Sequence, residues 1–133
     1  MTENFRFKRW YIACAVAMFG LFLYGIGSYP LLDPDEGRNA EVAREMAETN
    51  EYGVPRLNEL PYLDKPVFYF AATAAFMEVL GPTPLAARLS SFVFTLATIL
   101  LVVWFAGKQF GVEGGWTAGI ATAATPLTLA FSR

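Results

Sequence analysis

Residues 33–38 read Asp-Pro-Asp-Glu-Gly-Arg, so carboxylates and a guanidinium lie within one short stretch directly after a long apolar run. A carboxylate can take a proton from a substrate hydroxyl, and an arginine can bind phosphate. Two interpretations are open. The stretch can be a helix start, with Asp33 as N-cap, Pro34 as first helical residue and Glu36 completing a capping-box-like arrangement. It can also be an active site in which Asp35 is the general base.

Four cations belong to the same part of the chain and could converge near Asp35, namely Arg38, Arg56, Lys65 and Arg88. Cations near a phosphate stabilise it as a leaving group. Each also has a structural alternative, because long cationic side chains reach the membrane interface and loop arginines are commonly solvated.

The chain contains no histidine. This excludes histidine acid/base chemistry and the commonest zinc sites. Carboxylates suit hard divalent cations, although the spacing requires none. The residues that could hold such an ion are Asp33, Asp35, Glu36 and Asp64.

The composition favours a membrane protein, since 55% of the 133 residues are hydrophobic and only 17% are charged. Uncharged or nearly uncharged runs cover residues 10–32, 85–107 and 114–132, and about 20 residues are enough to cross a bilayer. The sequence therefore predicts an all-α integral membrane protein with about three transmembrane helices.

Charge distribution predicts the orientation of these spans. Arg6, Lys8 and Arg9 precede the first one, and cationic flanks stay in the cytoplasm. The N-terminus is therefore expected to be cytoplasmic, residues 33–84 extracytoplasmic, and Lys108 cytoplasmic again. The predicted location is the plasma (inner) membrane, with the chain crossing it several times.

The extracytoplasmic segment is expected to contain two juxtamembrane helices. Residues 34–49 carry apolar side chains at three- and four-residue spacing, which is typical of an amphipathic helix. Residues 67–80 form a second apolar run that is too short to cross a bilayer. Between them, residues 55–64 contain two prolines and are predicted to form an irregular loop.

Three ordered segments carry a family resemblance: DEGRNAEVAREM, VPRLNELPYLDKPVFYF and GPTPLAARLSSF. Together they resemble the N-terminal part of the bacterial 4-amino-4-deoxy-arabinose lipid A transferases and related polyprenyl-phosphate-sugar transferases. These are relatives of the protein O-mannosyltransferases and have the C-type glycosyltransferase fold. The resemblance covers roughly residues 10–130, so residues 1–133 are expected to be the N-terminal part of a larger, multi-span glycosyltransferase domain.

The resemblance implies roles for individual residues. Asp35 matches the catalytic aspartate of the family, and Lys65 matches the lysine near the lipid phosphate. Arg38 and Arg88 match the motif arginines, and they are expected to bind substrate. Arg56 and Glu36 complete the expected set of substrate-binding residues.

The chain departs from the family pattern at three positions. Asn39 replaces a tyrosine, Asp64 replaces the glutamate before Lys-Pro, and Val67 replaces a second proline. None of these removes a charge that the chemistry needs. They leave the identity of the sugar and of the acceptor open.

The expected function is transfer of a sugar from a polyprenyl-phosphate donor to a lipid or protein acceptor on the extracytoplasmic side. Membrane lipids are expected partners, and nucleic acid is not. The alternative is a truncated, non-catalytic small membrane protein that acts through interactions. An ion-coupled transporter is disfavoured because none of the predicted spans carries an ionisable residue at its centre.

Overall fold

The computed structural model describes residues 3–32 and 34–131, and it is mostly helical. This agrees with the helical character of the predicted fold class. The helices are α1 (Glu3–Leu23), α2 (Asp35–Thr49), α3 (Val67–Leu80), α4 (Pro84–Ala123) and α5 (Pro126–Phe131), and the strands are β1 (Arg56–Leu57) and β2 (Leu60–Pro61).

The described chain forms two compact units. One combines α1 with the chain from Ser91 onward, and the other is Gly25–Ser90. Helix α3 has the predicted limits, and α2 begins one residue later than predicted, at Asp35 rather than Pro34.

Helix α1 ends at Leu23, well before the end of the predicted span at residue 32. Residues 24–28 form turns, and Gly25 has a φ of 73°. Glycine adopts this left-handed conformation without the steric cost that a Cβ would add. The apolar residues that follow the helix led the sequence analysis to extend it too far.

Helix α4 is interrupted at Gly111, where φ is 78° and ψ is 175°. The break lies between the second and third predicted spans, which end at residue 107 and begin at residue 114. The segments fold back on each other, because a Cβ on Gly115 would lie 3.0 Å from the Cα of Gly107. Small residues allow helices to approach closely in this way. The second segment ends at Ala123, short of the predicted limit at residue 132.

Within the described residues, one helix, Pro84–Ala123, is long and apolar enough to cross a membrane, and Arg9–Leu23 is a shorter apolar helix. Many large apolar side chains of these helices are exposed, among them Trp10, Trp104 and Phe105. Exposed apolar surface of this kind is typical of a membrane or protein contact. The number of spans stays a prediction.

The unit Gly25–Ser90 has its own core, built by α2, α3 and the start of α4. The buried apolar side chains of this core are mostly small or flexible. They are Ala40, Val42, Ala43, Met46, Phe70, Ala74, Met77, Ala86 and Ala87. A buried hydroxyl pair, 2.7 Å apart, joins Thr73 of α3 to Ser90 of α4. The apolar face predicted for α2 is therefore confirmed as its buried face.

Residues 55–64 contain a two-stranded antiparallel hairpin, where the sequence predicted an irregular loop. Its central residues are Asn58 and Glu59, with φ of 53° and 67°. Positive φ at both central positions defines a type I′ turn. The carboxylate of Glu45 in α2 accepts hydrogen bonds from the backbone N–H groups of Asn58, at 2.6 Å, and Glu59, at 3.3 Å. This contact attaches the hairpin to the helix.

A second contact connects the end of α2 to α3. The hydroxyl of Tyr52 donates a hydrogen bond to the carboxylate of Glu78. This bond raises the pKa of Tyr52 to about 12, because loss of the phenol proton would place two negative charges together. Glu78, which interrupts an otherwise apolar helix, therefore has a structural partner.

The turn geometry predicts that Glu59→Gly stabilises the protein. Glycine adopts φ near 67° without strain and keeps both backbone hydrogen bonds, so we expect a gain of about 0.5–1 kcal/mol. Thermal unfolding in detergent micelles measures it. The matched control is Val54→Gly, at a position without positive φ, which should be neutral or destabilising. Equal effects of the two substitutions would contradict the assigned turn.

Candidate functional site

Asp35 and Arg38 lie in the first turns of α2, at the N-terminal end of the helix. The side chain of Asp35 is 83% exposed, and its Oδ1 lies 3.9 Å from Nη1 of Arg38. The two side chains therefore form an i,i+3 ion pair. Asp35 faces solvent with its carboxylate accessible to a ligand.

A second set of polar groups, from the segment before α3, lies near Arg38. The hydroxyl of Tyr62 is 3.2 Å from Oδ2 of Asp64 and donates a hydrogen bond to it. The pKa of Arg38 is raised, chiefly by a hydrogen bond to the oxygen of Tyr62 and further by the charges of Asp35 and Asp64. Residues from either side of the hairpin therefore form one polar cluster, which we call the Asp35 cluster: Asp35, Arg38, Tyr62 and Asp64.

Lys65 directly follows this cluster in the chain and precedes α3. Its side chain is exposed, and its Nζ lies 5.7 Å from the centroid of the Tyr69 ring. A cation over an aromatic face is held weakly, by about 0.5–1 kcal/mol at an exposed site. The ammonium group is therefore positioned but remains available to an anion.

Tyr62 and Tyr69 are components of this site that the sequence analysis did not assign. Tyr62 also packs edge-on against Phe70 of the core, with ring centroids 5.9 Å apart. Its position two residues before Asp64, within a segment that carries the family resemblance, is the signal that could have identified it.

Glu36 and Arg88 form a separate, more buried pair in the same unit. Nε of Arg88 donates to Oε1 of Glu36 at 2.6 Å, and Nη2 donates to Oε2 at 3.0 Å. Burial raises the pKa of Glu36, but the hydrogen bond from Arg88, the backbone N–H of Leu32 and the charge of Arg88 outweigh this and lower it. Glu36 is therefore a carboxylate at neutral pH.

The capping prediction is answered only in part. Glu36 does reach back to a backbone donor, since its Oε2 accepts a hydrogen bond from the N–H of Leu32 at 2.7 Å. Asp33, the predicted N-cap, lies outside the described residues. The residue that precedes the helix is Pro34, which makes no side-chain cap.

Arg56 makes its described contacts away from the Asp35 cluster. Its Nε lies 3.3 Å from Oε2 of Glu51, and its Nη1 donates to the carbonyl of Glu59 at 3.2 Å. These contacts place it at an open polar cleft of about 390 Å³, beside Glu45 and Thr49. The expected role of Arg56 in substrate binding stays a prediction.

No group of three or more potential metal-binding side chains is found among residues 3–32 and 34–131. Asp35 and Asp64 contribute to one cluster, while Glu36 is occupied by Arg88. The divalent cation that the carboxylates suggested therefore stays an expectation from the sequence.

Similarity to named proteins is strong over part of their length. The chain is 36% identical over 94 residues to an undecaprenyl phosphate-alpha-4-amino-4-deoxy-L-arabinose arabinosyl transferase of Aeromonas hydrophila. A protein of the same name from Pectobacterium atrosepticum is 35% identical over 92 residues. These alignments cover 69% and 68% of this chain but 17% and 16% of the relatives.

The crystal structure of ArnT from Cupriavidus metallidurans in the apo state superimposes with a TM-score of 0.86 at 27% identity. The match covers 94% of this chain and 23% of that protein. The chain belongs to the ArnT-like glycosyltransferase family. No protein-family model matches it. The chain spans about a sixth of the length of its curated relatives. The family is the one that the three sequence segments resemble.

Proposed function

We propose that this chain is part of a membrane glycosyltransferase that moves a sugar from a polyprenyl-phosphate donor to a lipid or other acceptor. The single observation that carries the proposal is the Asp35 cluster, which combines an exposed carboxylate with an arginine and lies next to Lys65. The relatives named arabinosyl transferases have undecaprenyl phosphate in their names, which supports this class of donor.

Asp35 would act as the general base. The acceptor hydroxyl oxygen bonds to the anomeric carbon of the sugar, and its proton passes to the Asp35 carboxylate. The bond from the anomeric carbon to the phosphate oxygen breaks, and its electron pair leaves with the polyprenyl phosphate. The exposure of Asp35 and the length of its contact to Arg38, 3.9 Å, leave carboxylate lone pairs available for this proton.

Lys65 and Arg38 would stabilise the departing phosphate. Both cations are exposed enough to meet a ligand, with 40% of the Arg38 side chain accessible. Charge-assisted hydrogen bonds to phosphate are among the strong ones, and Arg38 keeps donors beyond those used by Asp35 and Tyr62. Asp64 and Tyr62 would orient Arg38 rather than touch the sugar.

The proposed site lies on the extracytoplasmic side of the inner membrane, in a chain with a cytoplasmic N-terminus and several spans. Support comes from the apolar helix α4, from the exposed apolar side chains of α1 and from the cations in the first turns of α1 in the sequence. Helix α3 is apolar on its exposed face as well, with Phe68 and Val79 outermost. A helix of this length and character suits the membrane interface.

The orientation predicts opposite accessibility for two engineered cysteines. In a Cys14→Ser background, Glu51→Cys should react with an impermeant thiol reagent added to intact cells. Gln109→Cys should react only after the membrane is permeabilised. The reverse pattern would place the Asp35 cluster in the cytoplasm and overturn the proposed side of transfer.

The role of Asp35 predicts a large loss of turnover in Asp35→Asn, because the amide cannot take the proton. We expect a decrease of roughly 10²–10⁴-fold in sugar transfer, measured with the full-length protein in membranes and a polyprenyl-phosphate sugar. The matched control is Glu48→Gln on the same helix, whose carboxylate pairs with Arg44 and which should transfer at the wild-type rate. Similar transfer rates for the two variants would refute the role of Asp35 as the general base.

The role of Lys65 predicts that Lys65→Ala reduces transfer strongly while membrane insertion is unchanged. Lys65→Arg should retain part of the activity, because it keeps the charge but changes the geometry. Lys108→Ala, which removes an exposed lysine from the other unit, is the control and should have no effect. Wild-type transfer by Lys65→Ala would leave Lys65 as an interfacial side chain only.

A further inference from the structure

Arg88 differs from the other candidate cations because its side chain is only 7% exposed and fully engaged within the protein. We propose that Arg88 is a positioning residue. It fixes the chain that leads into α2, and with it Asp35, and it does not contact the donor phosphate. The inference rests on the proposed function and revises the substrate-binding role that the family resemblance implies for Arg88.

The hydrogen bonds of Arg88 use its whole donor capacity. Nη1 donates to the carbonyl oxygens of Ile26, at 2.9 Å, and Tyr29, at 3.0 Å. Nη2 donates to the carbonyl of Pro30 at 3.1 Å, and the two remaining bonds go to Glu36. A guanidinium has five N–H donors, and all of them have a partner here. A phosphate could bind Arg88 only by displacing one of these contacts.

The acceptors of Arg88 all lie just before Asp35 or beside it in the chain. Three are carbonyls of the segment between α1 and α2, and the fourth group, Glu36, is the neighbour of Asp35. Glu36 additionally accepts a hydrogen bond from the backbone N–H of Leu32. The Arg88–Glu36 pair thus holds the segment from Ile26 to Glu36 at several points, and the backbone position of Asp35 follows from this attachment.

Burial makes this arrangement sensitive to substitution. A buried guanidinium or carboxylate that loses its partner is left uncompensated, and the chain around it moves to restore solvation. A displacement of about 1 Å at a catalytic group can lower turnover roughly 10²-fold. In the proposed role Arg88 makes no contact to the donor phosphate, so its loss removes no contact to the substrate. Loss of Arg88 should therefore lower kcat rather than raise KM.

The test uses Arg88→Gln, the isosteric Glu36→Gln and their double variant, in the full-length protein in nanodiscs. Arg44→Gln is the matched control, since Arg44 is also an ion-paired arginine of this unit but its described ion pairs, with Glu41 and Glu48, lie within α2. Two measurements are made on each variant. Hydrogen exchange reports the protection of residues 26–36, and transfer kinetics with a polyprenyl-phosphate sugar report kcat and KM.

We expect faster exchange of residues 26–36 in both single variants, with kcat reduced about 10- to 100-fold and the donor KM within about twofold of wild type. The double variant should be little worse than either single one, because the two residues act as a unit. Arg88→Lys should not restore kcat, since an ammonium cannot reach three carbonyls and a carboxylate together. Arg44→Gln should change neither measurement.

Two results separate the possible failures. If the wild-type protein transfers sugar but Arg88→Gln raises the donor KM at unchanged kcat, with unchanged exchange of residues 26–36, Arg88 binds the phosphate and the positioning role is refuted. If the wild-type protein transfers no sugar from any polyprenyl-phosphate donor, the proposed function is refuted, and the exchange experiment alone decides whether Arg88 holds this segment. Glu36→Gln keeps the test decisive even where Arg88→Gln fails to fold.

Discussion

The buried guanidinium of Arg88 is the constraint on which the unit Gly25–Ser90 depends. Helix α1 ends at Leu23, so the carbonyl groups of the residues that follow have no helical partner. Buried carbonyls without donors are costly, and so is a buried cation without acceptors. Arg88 resolves both problems at once, since its guanidinium satisfies three of these carbonyls and they, with Glu36, satisfy it. Removing the guanidinium would leave the carbonyls without donors, and removing its acceptors would leave a buried cation without partners.

Small side chains make this arrangement compatible with a close-packed core. Alanines at positions 40, 43, 74, 86 and 87 allow α2, α3 and the start of α4 to approach closely. The hydroxyls of Thr73 and Ser90 satisfy each other inside this contact. The result is a short, rigid platform in which α2 is held by its buried face. At the N-terminal end of α2, the side chains of Asp35 and Arg38 stay 83% and 40% exposed and are accessible to a ligand.

Periodic features were predictable from the sequence, and long-range pairings were not. The limits of α3 and the buried face of α2 follow from apolar spacing, which depends only on neighbours along one helix. The end of α1 was missed because a glycine inside an apolar run, such as Gly25, gives no sequence signal of its positive φ. The break at Gly111 lies between two predicted spans. The hairpin was missed because Glu59 adopts positive φ without being glycine. Glu36 was correctly assigned to the helix start, but its partner Arg88 is 52 residues away, and no local pattern indicates it.

Differences in burial separate the charged residues of the site into two groups with different capacities. Arg88 is buried with all five donors engaged, and Glu36 is partly buried and accepts three hydrogen bonds, so this pair can define geometry but cannot give Arg88 donors to a ligand without breaking it. Asp35 and Lys65 are exposed and weakly held, so they can change partners during a reaction. Exposed charges interact weakly in water and strongly once water is excluded. Binding of a lipid-linked donor beside the Asp35 cluster would exclude that water, and the strength of its interactions would then depend on how firmly the buried pair holds α2 in place.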